Sequence, residues 1–323
     1  MRIGIIGAGI AGLTLARRLV DAGHSALLVD RGRGVGGRAT TRRLDGTAFD
    51  HGAQYFTARD PKFREFLEAR VPAGAWAEWP GRFATLEGGR LVAEAPRSSR
   101  YVGVPGMGSL ARAMAEGLEI RRESRVFRLE GGPGRWILVD SSGHAEGPFD
   151  RVTSAVPPAQ AVALLGEASP IIAEGAGRVA MQPCFALLMT PPGGASLPFD
   201  GIRCRHPVLA WAANDQSKPG RGAGPALVIH SDQDWAAAHL LDDPEDVARL
   251  LAEAATEAFG VDLGPAGPDA VHRWFYAKPA EPLGRPCLVD EAAGLSACGD
   301  WCLEAKVEGA FLSGDACADA ILG

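Results

Sequence analysis

Gly7, Gly9 and Gly12 are the first residues whose spacing implies chemistry, and together they satisfy G-x-G-x-x-G. The first glycine of such a loop permits a tight turn, the second lets the backbone approach a pyrophosphate, and the third lets the next helix pack closely on the preceding strand. Free N–H groups and the helix dipole at that point favour an anion. Asp30 stands roughly 20 positions further on, where a carboxylate can hold the hydroxyl pair of an adenosine ribose. Other reactive side chains are dispersed. His51, His230 and His272 read as hydrogen-bonded structural residues rather than as acids or bases. The six cysteines lack paired C-x-x-C spacing, so neither a disulfide framework nor a zinc site is indicated and no metal is expected. Cys298 and Cys302 flank Gly299-Asp300, a turn-like pair, and read as reduced core thiols.

The elements that would position these residues follow from pattern. Arg2–Ile6 is a short β-branched run bounded by glycine, which suits a buried parallel strand. Ile10, Leu13, Ala16, Leu19 and Val20 fall at helical spacing, with Gly23 as the stop. Ser25–Asp30 reads as a second strand, which completes a β-α-β unit ending in an acid and implies a bound dinucleotide. A second glycine cluster, residues 31–43, repeats G-x-G-x-x-G at Gly32, Gly34 and Gly37, but no apolar helical pattern follows it. That loop can wrap a long cofactor, its Arg33 and Arg38 guanidinium groups facing the pyrophosphate; a flexible basic surface loop is the competing reading. Next, Asp50-His51-Gly52-Ala53-Gln54 is a composition suited to a loop pressed against a flat ring.

The Gly7/Gly9/Gly12 loop, Asp30, the Gly34-Val35-Gly36-Gly37-Arg38 loop and the 49–56 segment together resemble the FAD-dependent amine oxidase superfamily and, within it, the bacterial renalase family. The resemblance spans nearly the whole chain, strongest at both termini and loosest between 160 and 270. It implies non-covalent FAD held by Gly7, Gly9, Ala11, Gly12, Asp30, Arg31, Gly37, Arg38, Gln54, Tyr55, Val126, Asp300 and Val307. Val126 is implied to meet the adenine end through its backbone. Asp300, which closes the Gly299-Asp300 strand end, is implied to meet the pyrophosphate or ribityl chain. The helix opening at Val307 is implied to point at the flavin's N1–C2=O edge. Gln54, Tyr55 and Trp274 are expected to shape a flat catalytic pocket. Lys278 stays ambiguous between a solvated strand end and the lysine that some relatives place near the flavin.

The fold class expected is α/β, a two-domain flavoprotein. Residues 1–60, 98–160 and 291–323 would form a discontinuous Rossmann-like FAD-binding domain. Residues 61–97 and 161–290 would form a substrate domain of mainly antiparallel sheet plus helices. Ile120–Leu129 reads as one strand, and 185–189, 208–211 and 226–230 as three more. Glu245–Phe259 reads as an amphipathic helix with Val247, Leu250, Leu251, Ala254 and Ala258 inward. Residues 191–198 and 217–225 read as Pro/Gly-rich loops.

A net charge of −6 and a pI near 5.7 leave no broad basic surface, so nucleic acid is not an expected partner. No stretch reaches 18 uninterrupted apolar residues, and the expectation is a cytoplasmic protein without a membrane partner. The resemblance implies an enzyme that oxidises the 2- and 6-dihydro isomers of NAD(P)H to NAD(P)+, passing the electrons through FAD to O2 and releasing H2O2. An amine oxidase or desaturase of the same superfamily, and a flavin-binding redox sensor without turnover, are the alternatives.

Overall fold

The computed structural model describes residues 1–95 and 98–323. The boundary expected at residue 97 lies outside the described residues. The N-terminal run does form a central buried strand, Arg2–Ile6, which pairs in parallel with Ser25–Val29 on one side and Arg151–Ser154 on the other. Sandwiched between two layers, it has no solvent face, which is why its sequence is a continuous apolar run. The six-stranded sheet runs Leu288–Asp290, Leu295–Ala297, Arg151–Ser154, Arg2–Ile6, Ser25–Val29, Glu119–Arg121. Only its Leu288–Asp290 edge is antiparallel. A three-stranded antiparallel sheet, Val126–Glu130, Trp136–Asp140 and Ala145–Phe149, packs against it through Phe149, whose ring lies over Gly4.

The expected single strand over 120–129 is two strands in two different sheets. Glu119–Arg121 closes the parallel sheet and Val126–Glu130 opens the antiparallel one. Between them Glu123 takes a left-handed backbone with φ 55°, and the Ser124 hydroxyl donates to Asp140 at 2.9 Å, turning the chain out of the first sheet. Charge alternation alone carried no mark of that turn.

A seven-stranded sheet forms the other large layer, in the order Val271–Pro279, Met181–Met189, Leu227–Ser231, Leu209–Asn214, Gly201–Arg205, Phe83–Glu87, Arg90–Ala93. It is antiparallel except where Gly201–Arg205 meets Phe83–Glu87. Gly201–Arg205 itself was not foreseen in the sequence. The helix Pro244–Phe259 covers one face, started by the Asp243 side chain accepting from the Glu245 N–H. Its buried face carries Val247, Ala248, Leu251, Ala252, Ala255 and Phe259, while Leu250, Ala254 and Ala258 are half-buried, so the inward stripe sits one position round from the expected one. The 217–225 segment is an irregular loop from Lys218 onward, as expected, yet the Lys218 side chain within it is completely buried.

The two chain ends meet. Gly314 of the last helix, Val307–Leu322, lies against the first helix, Ile10–Asp21, so closely that a Cβ on Gly314 would stand 2.3 Å from the Ala11 carbonyl oxygen. No helix among the described residues is long and apolar enough to cross a membrane. Gly314→Ala is expected to force these helices apart and cost about 1–3 kcal/mol, the range for overpacking a tight core, read as a lower urea midpoint.

Candidate functional site

The glycine loop is shaped for a ligand at its open face. Gly7 has φ +106°, and a Cβ there would come within 2.9 Å of the Ala155 carbonyl oxygen; at Gly12 it would come within 2.1 Å of the Gly7 oxygen. At Gly9 nothing lies within 4 Å. The helix that follows begins at Gly9 without any side-chain cap, so its first-turn N–H groups are left for an anion. Asp30, at the end of the second strand, accepts the Ala8 N–H at 2.7 Å on one oxygen and the Gly32 N–H at 2.6 Å on the other. Each oxygen keeps a lone pair for a ribose hydroxyl. Ser124, two residues before the buried Val126, donates its N–H to the Asp30 carbonyl at 3.0 Å, which brings Val126 to this end of the groove. Arg31 is exposed at the rim.

The second glycine loop touches the first, with the Gly36 N–H donating to Ala8 O at 2.8 Å and Gly37 packed on Gly9. Arg38 pairs with Asp300 at 2.7 Å and donates to the Ala277 carbonyl at 3.0 Å. Two residues read separately from sequence are thus one ion pair, which ties the second loop to the C-terminal segment. Val307 opens the last helix, again with no side-chain cap. The buried Glu308 carboxylate holds that helix in place by accepting from Thr57 Oγ1 at 2.8 Å, Arg59 N–H at 2.5 Å and Asp60 N–H at 2.7 Å. Two uncapped helix starts, a ribose-competent carboxylate and glycines where a Cβ would fill the groove fit an FAD laid across both chain ends.

Behind this groove the 50–55 segment is fixed by a buried charge cluster. Asp50, Asp215, Lys218 and Arg221 are almost wholly buried. The Lys218 ammonium donates to Asp215 at 2.5 Å and to Asp50 and Gln54 Oε1 at 3.3 Å each. Arg221 pairs with Asp50 and donates to the Gly103 carbonyl at 2.9 Å. Asp50 also accepts from Thr41 Oγ1 at 2.7 Å and the Met107 N–H at 2.8 Å. Burial alone would raise both carboxyls. Lys218, Arg221 and these hydrogen bonds outweigh it at Asp50 and hold that group below its usual range, whereas burial together with the neighbouring Asp50 pushes Asp215 up. Gln54 is fixed in turn, its Nε2 donating to the Asp50 and Gly52 carbonyls.

Trp274 and Tyr55 lie on opposite flanks of this segment. Trp274 donates to the His51 carbonyl at 3.0 Å and stacks on the His51 ring at 5.1 Å between centroids, with His272 edge-on to both. His230 Nε2 reaches the same carbonyl at 3.1 Å. Burial, with some help from neighbouring positive charge, pushes His51 down to about 3 and His230 and His272 to about 4, so all three are neutral near pH 7. Tyr55 instead meets Trp211 at 5.6 Å and Trp79 at 6.5 Å between centroids. The rings of this second group already face cations of the chain: Arg100 lies over Phe83 at 3.6 Å and Tyr55 at 5.2 Å, and Lys218 over Trp79 at 5.3 Å.

Lys218, Asp215, Arg221, Trp211 and Arg100 were not singled out from sequence. One signal existed, Asp215 and Lys218 at i,i+3 directly after a strand, but their partner Asp50 is remote in the chain. Lys278, half-buried, pairs in register with Gln182 near the end of its strand. The thiols of Cys184 and Cys204 are pushed up to about 12 by burial, which suits packing rather than reaction. No group of three or more His, Cys, Asp or Glu among the described residues is placed to hold a metal.

Known proteins resemble this chain in family and in fold. The family model for flavin containing amine oxidoreductases matches residues 86–322, and that for an NAD(P)-binding Rossmann-like domain matches residues 5–69. The 4,4'-diapophytoene desaturase (4,4'-diaponeurosporene-forming) of Staphylococcus aureus (strain Newman) is 32% identical over 80 residues, 22% of this chain. The chain covers only 16% of that relative's length. Among solved structures, a protein of Exiguobacterium sp. 255-15 provisionally described as a protoporphyrinogen oxidase superposes with a TM-score of 0.76 at 15% identity, over 99% of this chain and 98% of the other. A double mutant of putrescine oxidase superposes with a TM-score of 0.69 at 13% identity, over 100% and 99%. At such identities the likeness is one of fold.

Lys218→Met leaves Arg221 facing two buried carboxylates and is expected to cost about 3–5 kcal/mol in urea unfolding; adding Asp215→Asn restores part of that loss by rebalancing charge. The histidines predict a pH slope. Unfolded, each titrates near the usual 6.5, so unfolding takes up protons between about 6.5 and about 4, and the fold weakens as pH falls through that window. Urea midpoints measured across it should fall less steeply in His272→Gln than in the unaltered protein.

Proposed function

The chain belongs to the family of flavin containing amine oxidoreductases, and from that premise we propose that it is an FAD-dependent oxidase of the 2- and 6-dihydro isomers of NAD(P)H, close in activity to the bacterial renalases. FAD is its cofactor; bound, it supplies a two-electron acceptor that takes hydride at N5 and is reoxidised by O2 to give H2O2. In this reading Gly7, Gly9, Ala11 and Gly12 carry the pyrophosphate, and Asp30, Arg31 and Val126 the adenosine end. Gly37, Arg38, Asp300 and Val307 line the middle and flavin end, with Gln54 and Tyr55 beside the ring. Trp274 orders the 51–55 segment from its other flank. The discontinuous two-domain division is part of the same reading, supported by residues 83–93 and 181–279 sharing one sheet while 2–29, 151–154 and 295–297 share another.

One observation carries the substrate class. The aromatic faces around Tyr55 and Trp79 are taken by Arg100 and Lys218. A cationic amine needs such faces for itself and would meet two like charges there. A dihydropyridine is flat and uncharged at its reacting end, and loss of hydride makes it an aromatic pyridinium directly. No proton has to leave the donor, which agrees with a site whose histidines are buried, neutral and already hydrogen-bonded or stacked.

The purified protein is expected to be yellow and to release FAD on denaturation. Given borohydride-reduced NAD+ in air, it should consume the 2- and 6-dihydro components, leave the 4-dihydro component, and form H2O2 in step with NAD+. Consumption of a polyamine or a polyene instead would favour the amine oxidase or desaturase alternative. Flavin without turnover of any donor would favour a redox sensor.

A further inference from the structure

A cavity of about 680 Å3, within the range of small-molecule sites, opens beside Trp79 and is lined in part by Arg82, Phe83, Glu94, Arg100 and Phe199. Resting on the reading above, we propose that this cavity is the subsite for the phosphate end of the nicotinamide nucleotide, with Arg100 as the residue that recognises it and Arg82 as a second cation at the rim. Two lining residues adjoin Tyr55, Trp79 at 6.5 Å between ring centroids and Arg100 over its ring at 5.2 Å, so a donor whose ring lies beside Tyr55 would place its ribosyl phosphate toward this cavity.

Arg100 is held ready for an oxyanion. Its guanidinium lies over the rings of Phe83 and Tyr55 and is mostly buried, with 17% of the side chain exposed. One nitrogen, Nη2, donates to Glu94 at 2.7 Å, and among the described residues this is the guanidinium's one hydrogen bond. The remaining N–H donors of a planar fork suit a phosphate, which accepts two at once. Glu94 does not depend on Arg100 alone, since it also accepts from Thr85 Oγ1 at 3.1 Å and faces Arg203 at 3.9 Å. Arg82 also rides on an aromatic ring, that of Phe199 at 5.9 Å; the Asp200 carboxylate accepts its backbone N–H at 2.6 Å and comes no closer than 3.8 Å to its guanidinium, and 73% of the side chain is exposed. That loose exposed pair leaves Arg82 available to a second anion. Glu78, also on the cavity wall, opposes a phosphate and places it toward the two arginines instead.

The test compares two probes by calorimetry on the FAD-loaded protein, the 4-dihydro forms of nicotinamide mononucleotide and nicotinamide riboside, whose rings are uncharged and which differ by the phosphate alone. The mononucleotide is expected to bind on the order of ten-fold more tightly, as one charged hydrogen-bonded contact would give. That preference should shrink with added salt, fall part way in Arg82→Gln and vanish in Arg100→Gln. Equal affinities in the unaltered protein, or a preference that survives both Arg100→Gln and Arg82→Gln, would overturn the proposal. If Arg100→Gln does not fold, the Arg82→Gln result and the salt dependence decide it. Anaerobic mixing with the 2- and 6-dihydro forms of the same mononucleotide and riboside separates this proposal from the one beneath it: a phosphate preference without flavin bleaching removes the hydride-donor reading and leaves the subsite, and bleaching by both without a preference does the reverse.

Discussion

The arrangement of this molecule depends on a buried charge cluster in which Lys218 and Arg221 stand among Asp50 and Asp215. Removing four charges from water is costly, and the cost is offset only because the two signs balance and nearly every donor finds an acceptor. The cluster gathers four stretches of the chain: Thr41, the segment at 50–55, the turn at 103–107 and the loop at 215–221. In doing so it fixes Gln54 from both ends of its amide and places an ammonium on the face of Trp79. The same interaction that secures the 50–55 segment also covers one face of Trp79 with a positive charge.

The cofactor face rests on a simpler constraint. Two helices begin without caps at opposite ends of the chain, and the absence of side chains at Gly12 and Gly314 lets both approach their neighbours. The Arg38–Asp300 pair and the Glu308 carboxylate then lock the second glycine loop and the last helix into register with the first loop. In the proposed reading an extended dinucleotide would satisfy what the backbone leaves open there, held by residues from both ends of the chain.

Much of that face was legible in the sequence because its signals are local. Glycine spacing, a helical stripe and an acid at the end of the next strand all lie within thirty residues, and Gly299-Asp300 before an apolar helix is equally compact. The inner wall was not, because its meaning comes from pairing across the chain. Lys218 sits among Ser217, Pro219 and Gly220, a composition that reads as a surface loop, and only the fold reveals that Asp50 lies beside it. Trp211 and Arg100 likewise acquire a role from Tyr55, which neither neighbours in sequence. The break between Arg121 and Val126 escaped because a single left-handed residue, Glu123, leaves no mark on polarity.

In the proposed reading these features make a flavin site whose neighbouring aromatic rings, Tyr55 and Trp79, are already faced by the protein's own cations. The most direct measurement is anaerobic single-turnover bleaching of the bound flavin, comparing purified 2-dihydro-NAD(P) with a series of cationic amines at equal concentration. The account predicts rapid bleaching by the dihydronicotinamide and none above background by the amines. Rapid bleaching by an amine, with the dihydronicotinamide inert, would contradict it.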